Sequence, residues 1–447
     1  MKRIAIAGAG LVGSLLAIYL KRRGYDVAVF ERRPDMRKTN VDGGRSINLA
    51  LSTRGIKALE ETGLAEAIKA VAIPMHGRMM HDPNGNLSFL AYGKEGQYIN
   101  SISRSNLNIV LMNEAERLGA QFFFGHRIQR VDFERTRISF DQDEGESRTF
   151  DFIIGADGAF SAVRHAMQFS DRFNYNQEYI EHGYKELHIP ARSDGSFELE
   201  KNALHIWPRE SFMMIALPNI DGSFTCTLFF PFEGTTSFSA LNSDEAIKHF
   251  FRQTFPDAFE KMPSLLEDYH HNPVSSLVTV RCFPWRRNNT FLIGDAAHAI
   301  VPFYGQGMNA GFEDCRILNQ LLDQHHDDWE KVLPAFQNIR KPDTDSIARL
   351  ALDNFVEMRD LVADQEFLLR KKIEAHLHKL YPDQWIPLYS MVTFNDNIRY
   401  SQAYALGQKQ KQIMDCVMAQ PRIANEWEKL NFKEIIDTFN QSSSDVV

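Results

Sequence analysis

Residues 3–7 read Arg-Ile-Ala-Ile-Ala, a short apolar run without a polar face. Such a run predicts a strand buried on both sides in a parallel sheet. Gly8, Gly10 and Gly13 follow, and Leu11, Leu15, Ile18 and Tyr19 then recur at helical spacing. Gly24 stops that helix, and Asp26–Phe30 predicts a second strand ending at Glu31. Ser105–Leu118 predicts another helix, with Ser105 as N-cap, Leu107, Leu111 and Leu118 in its apolar stripe, and Gly119 in the left-handed terminal position. Phe150–Ile154 predicts a further strand ending at Gly155.

From about Tyr184 to Arg281 the period changes. Ala203–Trp207, Phe212–Leu217, Phe224–Phe230 and Val278–Cys282 are short and rich in aromatic or β-branched residues. Turn signals such as Asn219–Ile220–Asp221–Gly222 separate them, which predicts an antiparallel sheet. Phe291–Ile293 is another short apolar strand, and beyond Asp295 the pattern is helical, with Ile347–Leu380 the longest candidate. No internal repeat or low-complexity linker divides the chain, which argues against loosely tethered domains.

Composition narrows the function classes. The chain has 447 residues, too many for one simple core, with 44% hydrophobic and 24% charged residues. A net charge of -8 with no basic tract gives no reason to expect nucleic acid. Cys226, Cys282, Cys315 and Cys416 lack any zinc or redox spacing and read as buried free thiols, and no metal site is expected. Met1 leads directly into a strand and no apolar run approaches a membrane span, so the expectation is a cytoplasmic protein, monomer or homodimer.

The chemistry lies in three distant segments. Gly8, Gly10 and Gly13 follow a strand and open a helix, the setting in which glycines admit a pyrophosphate, with Val12 inside the turn. Glu31 ends the next strand and can accept from a ribose diol, although Arg32 and Arg33 beside it blur the choice of nucleotide. Asp157–Gly158 follows the strand near 152–154 and precedes Ser161 and Arg164. In the third segment Gly294–Asp295 ends a strand, and a helix begins near Met308 after Gly305–Gln306–Gly307. A carboxylate at that strand end suits the ribityl hydroxyls of FAD, a chain that NAD lacks. His298 reads as a packing residue more readily than as a general base.

Together the Gly-x-Gly-x-x-Gly turn, Gly155–Ala156–Asp157–Gly158–Ala159–Phe160–Ser161 and Gly294–Asp295–Ala296–Ala297–His298 resemble the three signatures of the single-component (group A) flavoprotein monooxygenases. The resemblance implies that Asp157 serves both FAD and NADPH and that Asp295 meets the ribityl chain. It also implies that the helix entered at Gly307, Met308 and Asn309 faces the flavin pyrimidine. Arg45, Ala50 and Arg104 join Glu31 and Arg32 as expected cofactor contacts. No second strand–glycine–helix unit exists, so NADPH visits as a co-substrate rather than occupying its own domain.

A narrower resemblance covers nearly the whole chain. Gly77–Arg78–Met79–Met80–His81, Tyr92, the run Gly43–Gly44–Arg45–Ser46–Ile47–Asn48–Leu49–Ala50–Leu51–Ser52, the Pro302–Gly307 loop and Asp353–Asp360 are similar to the kynurenine 3-monooxygenase family. This implies that Arg78, Tyr92, Asn354 and Tyr389 hold the amino-acid end of L-kynurenine, with the aromatic amine against Phe303, Pro302 and Met358. Ile215, Leu217 and Phe229 are expected as the apolar wall from the sheet. The implied reaction is ring hydroxylation through a flavin C4a-hydroperoxide formed with O2, with FAD reduced by NADPH, in tryptophan catabolism and pyridine-nucleotide synthesis. Eukaryotic members carry a C-terminal membrane anchor. The stretch after Gln420 is too polar for one, which points to the bacterial-type form.

The expected fold is α/β, a Rossmann-like FAD-binding domain with parallel sheet and helices, an inserted antiparallel-sheet substrate domain and a C-terminal helical region. The expected boundaries are 1–71 with 101–166 and 283–333 for FAD, 72–100 with 167–282 for the substrate sheet, and 334–447 for the helices. The nearest rival is a related hydroxylase acting on another aromatic acid such as anthranilate. A flavin halogenase lacks support because no Trp-x-Trp pair occurs. A non-catalytic flavin-binding sensor or interaction protein is the alternative from a different class.

Overall fold

A computed structural model describes residues 1–38, 48–94, 96–141, 147–357 and 365–443. The first strand is Arg3–Ala7, and the run without a polar face is explained by its position at the centre of a six-stranded sheet. It pairs in parallel with Asp26–Glu31 on one side and Phe152–Gly155 on the other. The sheet continues through Thr290–Leu292 to Arg286–Arg287 at one edge and ends at Gln121–Phe124 at the other. The chain therefore leaves the first strand in one direction and returns later on its opposite side. Such a reversal opens a crevice at the carboxyl ends of the strands, where nucleotides bind.

Helices Leu11–Arg22 and Arg104–Arg117 pack on this sheet through Leu15, Leu16, Ile18, Leu107 and Leu111. The second helix starts one residue before its expected beginning. Ser103, not Ser105, is its cap, and its side chain accepts from the Asn106 N–H. Gly119 takes the left-handed conformation (φ +91°) expected of it.

The second sheet has seven strands in the order Ser275–Phe283, Asn174–Ile189, Phe224–Pro231, Phe212–Pro218, Ala203–Arg209, Gly77–His81 and Leu87–Ala91. Its pairs are antiparallel except Ala203–Arg209 with Gly77–His81. Alternation assigns the two faces. Trp207, Met214, Leu228 and Phe230 pack under helices Asp244–Thr254, Pro256–Phe259 and Leu265–His271, which sequence periodicity did not anticipate. Arg78, Leu204, Ile215, Thr227 and Phe229 stand on the opposite face, toward the nucleotide crevice.

Within 72–100, only Gly77–His81 and Leu87–Ala91 join this sheet. Ala72–Met75 instead pairs with Ile99–Ser103, which also pairs with Asn48–Leu51, in a separate three-stranded sheet. The long helical segment is described as two helices, Trp329–Val356 and Gln365–Leu380, followed by Leu388–Phe394, Tyr400–Met418 and Phe432–Ser443. Cys226, Cys282 and Cys315 are buried free thiols, whereas Cys416 is exposed, unlike the reading of all four as buried.

Candidate active site

Strands that are far apart in sequence end side by side, so Gly8, Glu31, Asp157 and Asp295 gather around one cavity of about 680 Å3. Gly8 (φ +98°) needs its glycine twice over, because a Cβ there would also meet the Ala156 carbonyl oxygen at 2.6 Å. At Gly13 a Cβ would meet the Gly8 carbonyl oxygen at 2.0 Å, so helix and turn touch backbone to backbone. Gly10 is different: nothing stands within 4 Å of its Cβ position, which opens into the cavity. Val12 joins the segments, since a Cβ on Gly294 or Gly311 would strike its side chain at 3.1 Å or 2.6 Å.

The acids differ in readiness. Glu31 is buried and accepts from the N–H of Ala9 (3.1 Å) and of Arg33 (3.0 Å) and from Arg33 Nε (2.9 Å). Burial alone would push its pKa up, but the Arg33 hydrogen bonds outweigh burial and hold the carboxyl below its ordinary range. Asp157 Oδ2 accepts from the N–H of Ala162 (2.7 Å) and Val163 (3.3 Å), while its Oδ1 is buried with no partner among the described residues. Asp295 is exposed to the cavity at the start of the turn Asp295–His298. Gly307 and Met308 line the cavity as the first turn of the helix Gly307–Gln324, whose start has no side-chain cap. Its free N–H groups and dipole therefore face the cavity. Arg32, Ala50 and Arg104 also line it, and Arg45 lies outside the described residues. An open glycine cradle, an orphaned carboxylate oxygen and an uncapped helix start fit a dinucleotide carrying a polyol chain, as FAD does.

The cavity lining also holds Arg78, a cation with no acidic partner among the described residues. The guanidinium carbon of Arg78 lies 4.6 Å from the Tyr389 ring centroid and 5.6 Å from that of Tyr92. Its Nε is buried without a hydrogen-bond partner among the described residues, and so is the Tyr92 hydroxyl. Tyr92 and Tyr389 stack 5.6 Å apart, and Tyr304, for which the sequence suggested no role, stacks on Tyr389 at 5.5 Å and lines the cavity. Phe303 packs between Phe229 (5.0 Å) and Phe355 (4.3 Å) and completes an apolar wall with Pro302, Ile215 and Leu217.

Several expected residues act from behind the wall. Tyr92 stands behind Arg78 and is not among the cavity-lining residues, nor are Gly13, Asn309 and Asn354. Asn309 Nδ2 donates to the Ala50 and Gly305 carbonyls (both 2.8 Å), and its Oδ1 accepts from the Ser52 N–H (2.9 Å). Asn354 Nδ2 donates to the Phe303 carbonyl (2.7 Å), so the amide braces the Pro302–Tyr304 turn. Met358 lies outside the described residues, as does the run 43–47. His298 is buried, and its Nε2 donates to Asp314 Oδ2 at 2.6 Å.

Comparison with known proteins now decides the family. Residues 1–342 match the family model described as FAD binding domain. A kynurenine 3-monooxygenase of Flavobacterium johnsoniae is 50% identical over 429 residues, 95% of this chain and 96% of that protein. One of Dictyostelium discoideum is 44% identical over 461 residues, 100% of this chain and 96% of that protein. This chain belongs to the kynurenine 3-monooxygenase family. Its fold is shared with P. aeruginosa PqsL, solved in complex with 2-aminobenzoylacetate (TM-score 0.66, 19% identity, 80% of this chain and 97% of that chain). It is shared equally with 2-methyl-3-hydroxypyridine-5-carboxylic acid oxygenase (TM-score 0.67, 21% identity, 83% and 95%). The cofactor of this flavin monooxygenase is FAD. Among the described residues no helix is long and apolar enough to cross a membrane.

One group near the site had no sequence signal. Glu186 pairs across the sheet with Thr227 of the cavity wall, and its Oε2 is buried without a partner among the described residues. Burial pushes its pKa up to about 7, with Arg104 opposing. A carboxyl whose folded pKa exceeds its unfolded value costs stability as pH rises from about 4.5 through about 7, because only the unfolded chain gives up the proton freely. Glu186→Gln is therefore expected to leave the melting temperature nearly unchanged at pH 3.5, below both values, and to raise stability at pH 8.5. After allowance for solvent screening the gain is on the order of 1–2 kcal/mol. Thermal unfolding of both proteins at the two pH values checks this, and equal differences at both would refute it.

Proposed function

We propose that this enzyme hydroxylates L-kynurenine at ring C3, with Arg78 as the group that holds the substrate carboxylate. The observation that carries the reading is a guanidinium with no carboxylate partner among the described residues, lining the same cavity as the groups that fit FAD. Burial would lower the Arg78 pKa, but the neighbouring Tyr389 and Tyr92 more than offset this, so it stays a cation. A guanidinium offers a carboxylate two parallel charge-assisted hydrogen bonds, and the Tyr92 hydroxyl adds another donor from behind. Tyr389 and Tyr304 shield the pair from water.

Bound FAD supplies the redox chemistry: reduction by NADPH and delivery of one oxygen atom of O2 to an aromatic ring. The protein's own contribution is orientation and dryness. Phe303, Pro302, Ile215, Leu217 and Phe229 make an apolar wall that keeps the ring fixed and water out. Fixing the amino-acid end at Arg78 would set which ring carbon is presented to the cofactor. The aniline nitrogen activates the carbon ortho to it, so the chemistry demands no strong protein acid or base at the ring. The free N–H groups at the start of Gly307–Gln324 line the cavity and would stabilise the negative charge that reduction places on a flavin bound there. Asp295 and Asp157 offer acceptors for the ribityl hydroxyls, and Gly10 leaves room for the pyrophosphate.

Incubation of the purified yellow protein with kynurenine, NADPH and O2 should give a product heavier by one oxygen atom. Anthranilate should not be turned over at a comparable rate. Preferential hydroxylation of anthranilate would overturn the substrate assignment, and a protein that stayed colourless in the presence of FAD would overturn the whole reading.

A further inference from the structure

The ring of Tyr389 belongs to the short helix Leu388–Phe394, and a short helix is a poor support for a binding group. Its carboxyl end and the loop after it expose carbonyl groups to the protein interior, where each needs a donor. One side chain supplies several. Arg54, on the helix Thr53–Glu61 that follows the cavity strand Asn48–Leu51, is 1% exposed. Its Nε donates to the Val392 carbonyl (3.1 Å), and its Nη2 donates to the carbonyls of Asn395 (3.1 Å) and Ile398. Its guanidinium also lies 4.0 Å from the Tyr400 ring centroid, and the Tyr400 hydroxyl donates to Gln306 Oε1 (2.8 Å) just before the flavin-facing helix.

Arg54 is itself held from the flavin side. Its Nη1 donates to Glu313 Oε1 (2.5 Å), and Glu313 Oε2 accepts from Arg340 Nη1 (2.6 Å). Arg340 Nε donates to Asp314 Oδ1 (2.7 Å), and Asp314 Oδ2 accepts from the Gly294 N–H (3.0 Å), beside Asp295. A continuous chain of buried charge thus runs from the Gly294–Asp295 turn to the carbonyl end of the Tyr389 helix. Lys57 and Arg316 also reach Asp396 in the following loop, but Lys57 is partly open to solvent and Arg316 is 3.8 Å away. A partly exposed ammonium and a long 3.8 Å contact hold less than a buried guanidinium hydrogen-bonded to three carbonyls.

We propose that Arg54 is a positioning residue for the substrate: by holding Val392, Asn395 and Ile398 it fixes the helix Leu388–Phe394 and keeps the Tyr389 ring over Arg78. The inference rests on the reading of Arg78 as the carboxylate holder. A cation at the carboxyl end of a helix also complements the helix dipole. Lysine keeps the charge for Glu313 but cannot serve three carbonyls from one planar fork.

Arg54→Lys, Glu313→Gln and Arg78→Ala, each loaded with FAD, form the test. Kynurenine affinity is read from the perturbation of flavin absorbance, and backbone hydrogen exchange is read over 388–398 and over 307–324. Arg54→Lys is expected to weaken kynurenine binding about 10-fold with FAD content unchanged. Exchange should accelerate over 388–398 and not over 307–324, with KM rising more than kcat falls. Glu313→Gln should move the same readouts in the same direction by less, because an amide oxygen still accepts from one arginine. Intact affinity in Arg54→Lys beside damaged affinity in Arg78→Ala overturns the inference alone. Intact affinity in Arg78→Ala sinks the substrate reading and this inference with it. Weakened affinity accompanied by FAD loss and faster exchange in both segments would mark Arg54 as merely structural and overturn the inference as well.

Discussion

Replacing Arg78 with alanine should raise the KM for kynurenine about 100-fold or more while the protein keeps its FAD. The magnitude follows from the environment. Hydrogen bonds to charged groups contribute about 1.5–3 kcal/mol, and a carboxylate drawn into a cavity without its cation also leaves its desolvation uncompensated. Arg78 stands against two tyrosine rings with its Nε unpaired, and no acidic side chain among the described residues neutralises it. Removing it costs the protein no ion pair, so folding and flavin content should change little. Arg78→Lys should recover only part of the loss, because an ammonium cannot reproduce a two-point contact. A substrate held at one end only should also let NADPH be oxidised without hydroxylation, and peroxide release measured beside product formation reads this. Normal kynurenine KM in a well-folded Arg78→Ala protein would remove the assignment.

The second large effect is expected at the glycine turn, where two neighbouring positions should fail differently. At Gly13 a Cβ would lie 2.0 Å from the Gly8 carbonyl oxygen, a backbone atom that cannot step aside. Gly13→Ala must push the helix Leu11–Arg22 off the strand, so both FAD binding and the stability of the flavin-free protein should fall. At Gly10 the Cβ meets nothing within 4 Å in the protein itself, but it occupies the cradle. Gly10→Ala should therefore leave the flavin-free melting temperature unchanged while cutting FAD retention at least about 10-fold, since close backbone approach to the pyrophosphate is lost. The ratio of flavin to protein absorbance after gel filtration, with melting curves of the stripped proteins, separates the two. Full FAD retention in Gly10→Ala would refute the placement of the pyrophosphate.

The places where expectation and structure part have physical causes. The helices between Asp244 and His271 cover one face of the seven-stranded sheet, yet the sequence from Tyr184 to Arg281 suggested strands throughout. The helix Asp244–Thr254 buries only Ile247 and Phe251, so its apolar stripe was thin beside the aromatic strands around it. Ser103 and Ser105 are both good caps in isolation, and the one whose side chain meets the Asn106 N–H was chosen by where the strand Ile99–Ser103 ends. Asn354 looked like a ligand because it is a polar group on an apolar face, and its amide goes to the Phe303 carbonyl. Glu186 and Arg54 had no signal at all. Arg54 matters because it is buried with many partners, and the half-buried Glu186 because its Oε2 is buried with none among the described residues; burial of a charged group cannot be seen in a single sequence.

The sequence by itself determined the family, the cofactor and the strand–glycine–helix turn, because short-range requirements leave local marks. A pyrophosphate needs glycines at fixed spacing after a strand, and a ribityl chain needs an acid at a strand end. Only the tertiary structure decided which groups face the cavity and which stand behind it. Arg78, Tyr92, Tyr389 and Tyr304 come from four separate stretches of the chain and meet through packing of the seven-stranded sheet on the C-terminal helices. The distinction between a residue that touches a ligand and one that holds the residue that does is a matter of a few ångströms of side-chain direction. Long-range packing sets that direction.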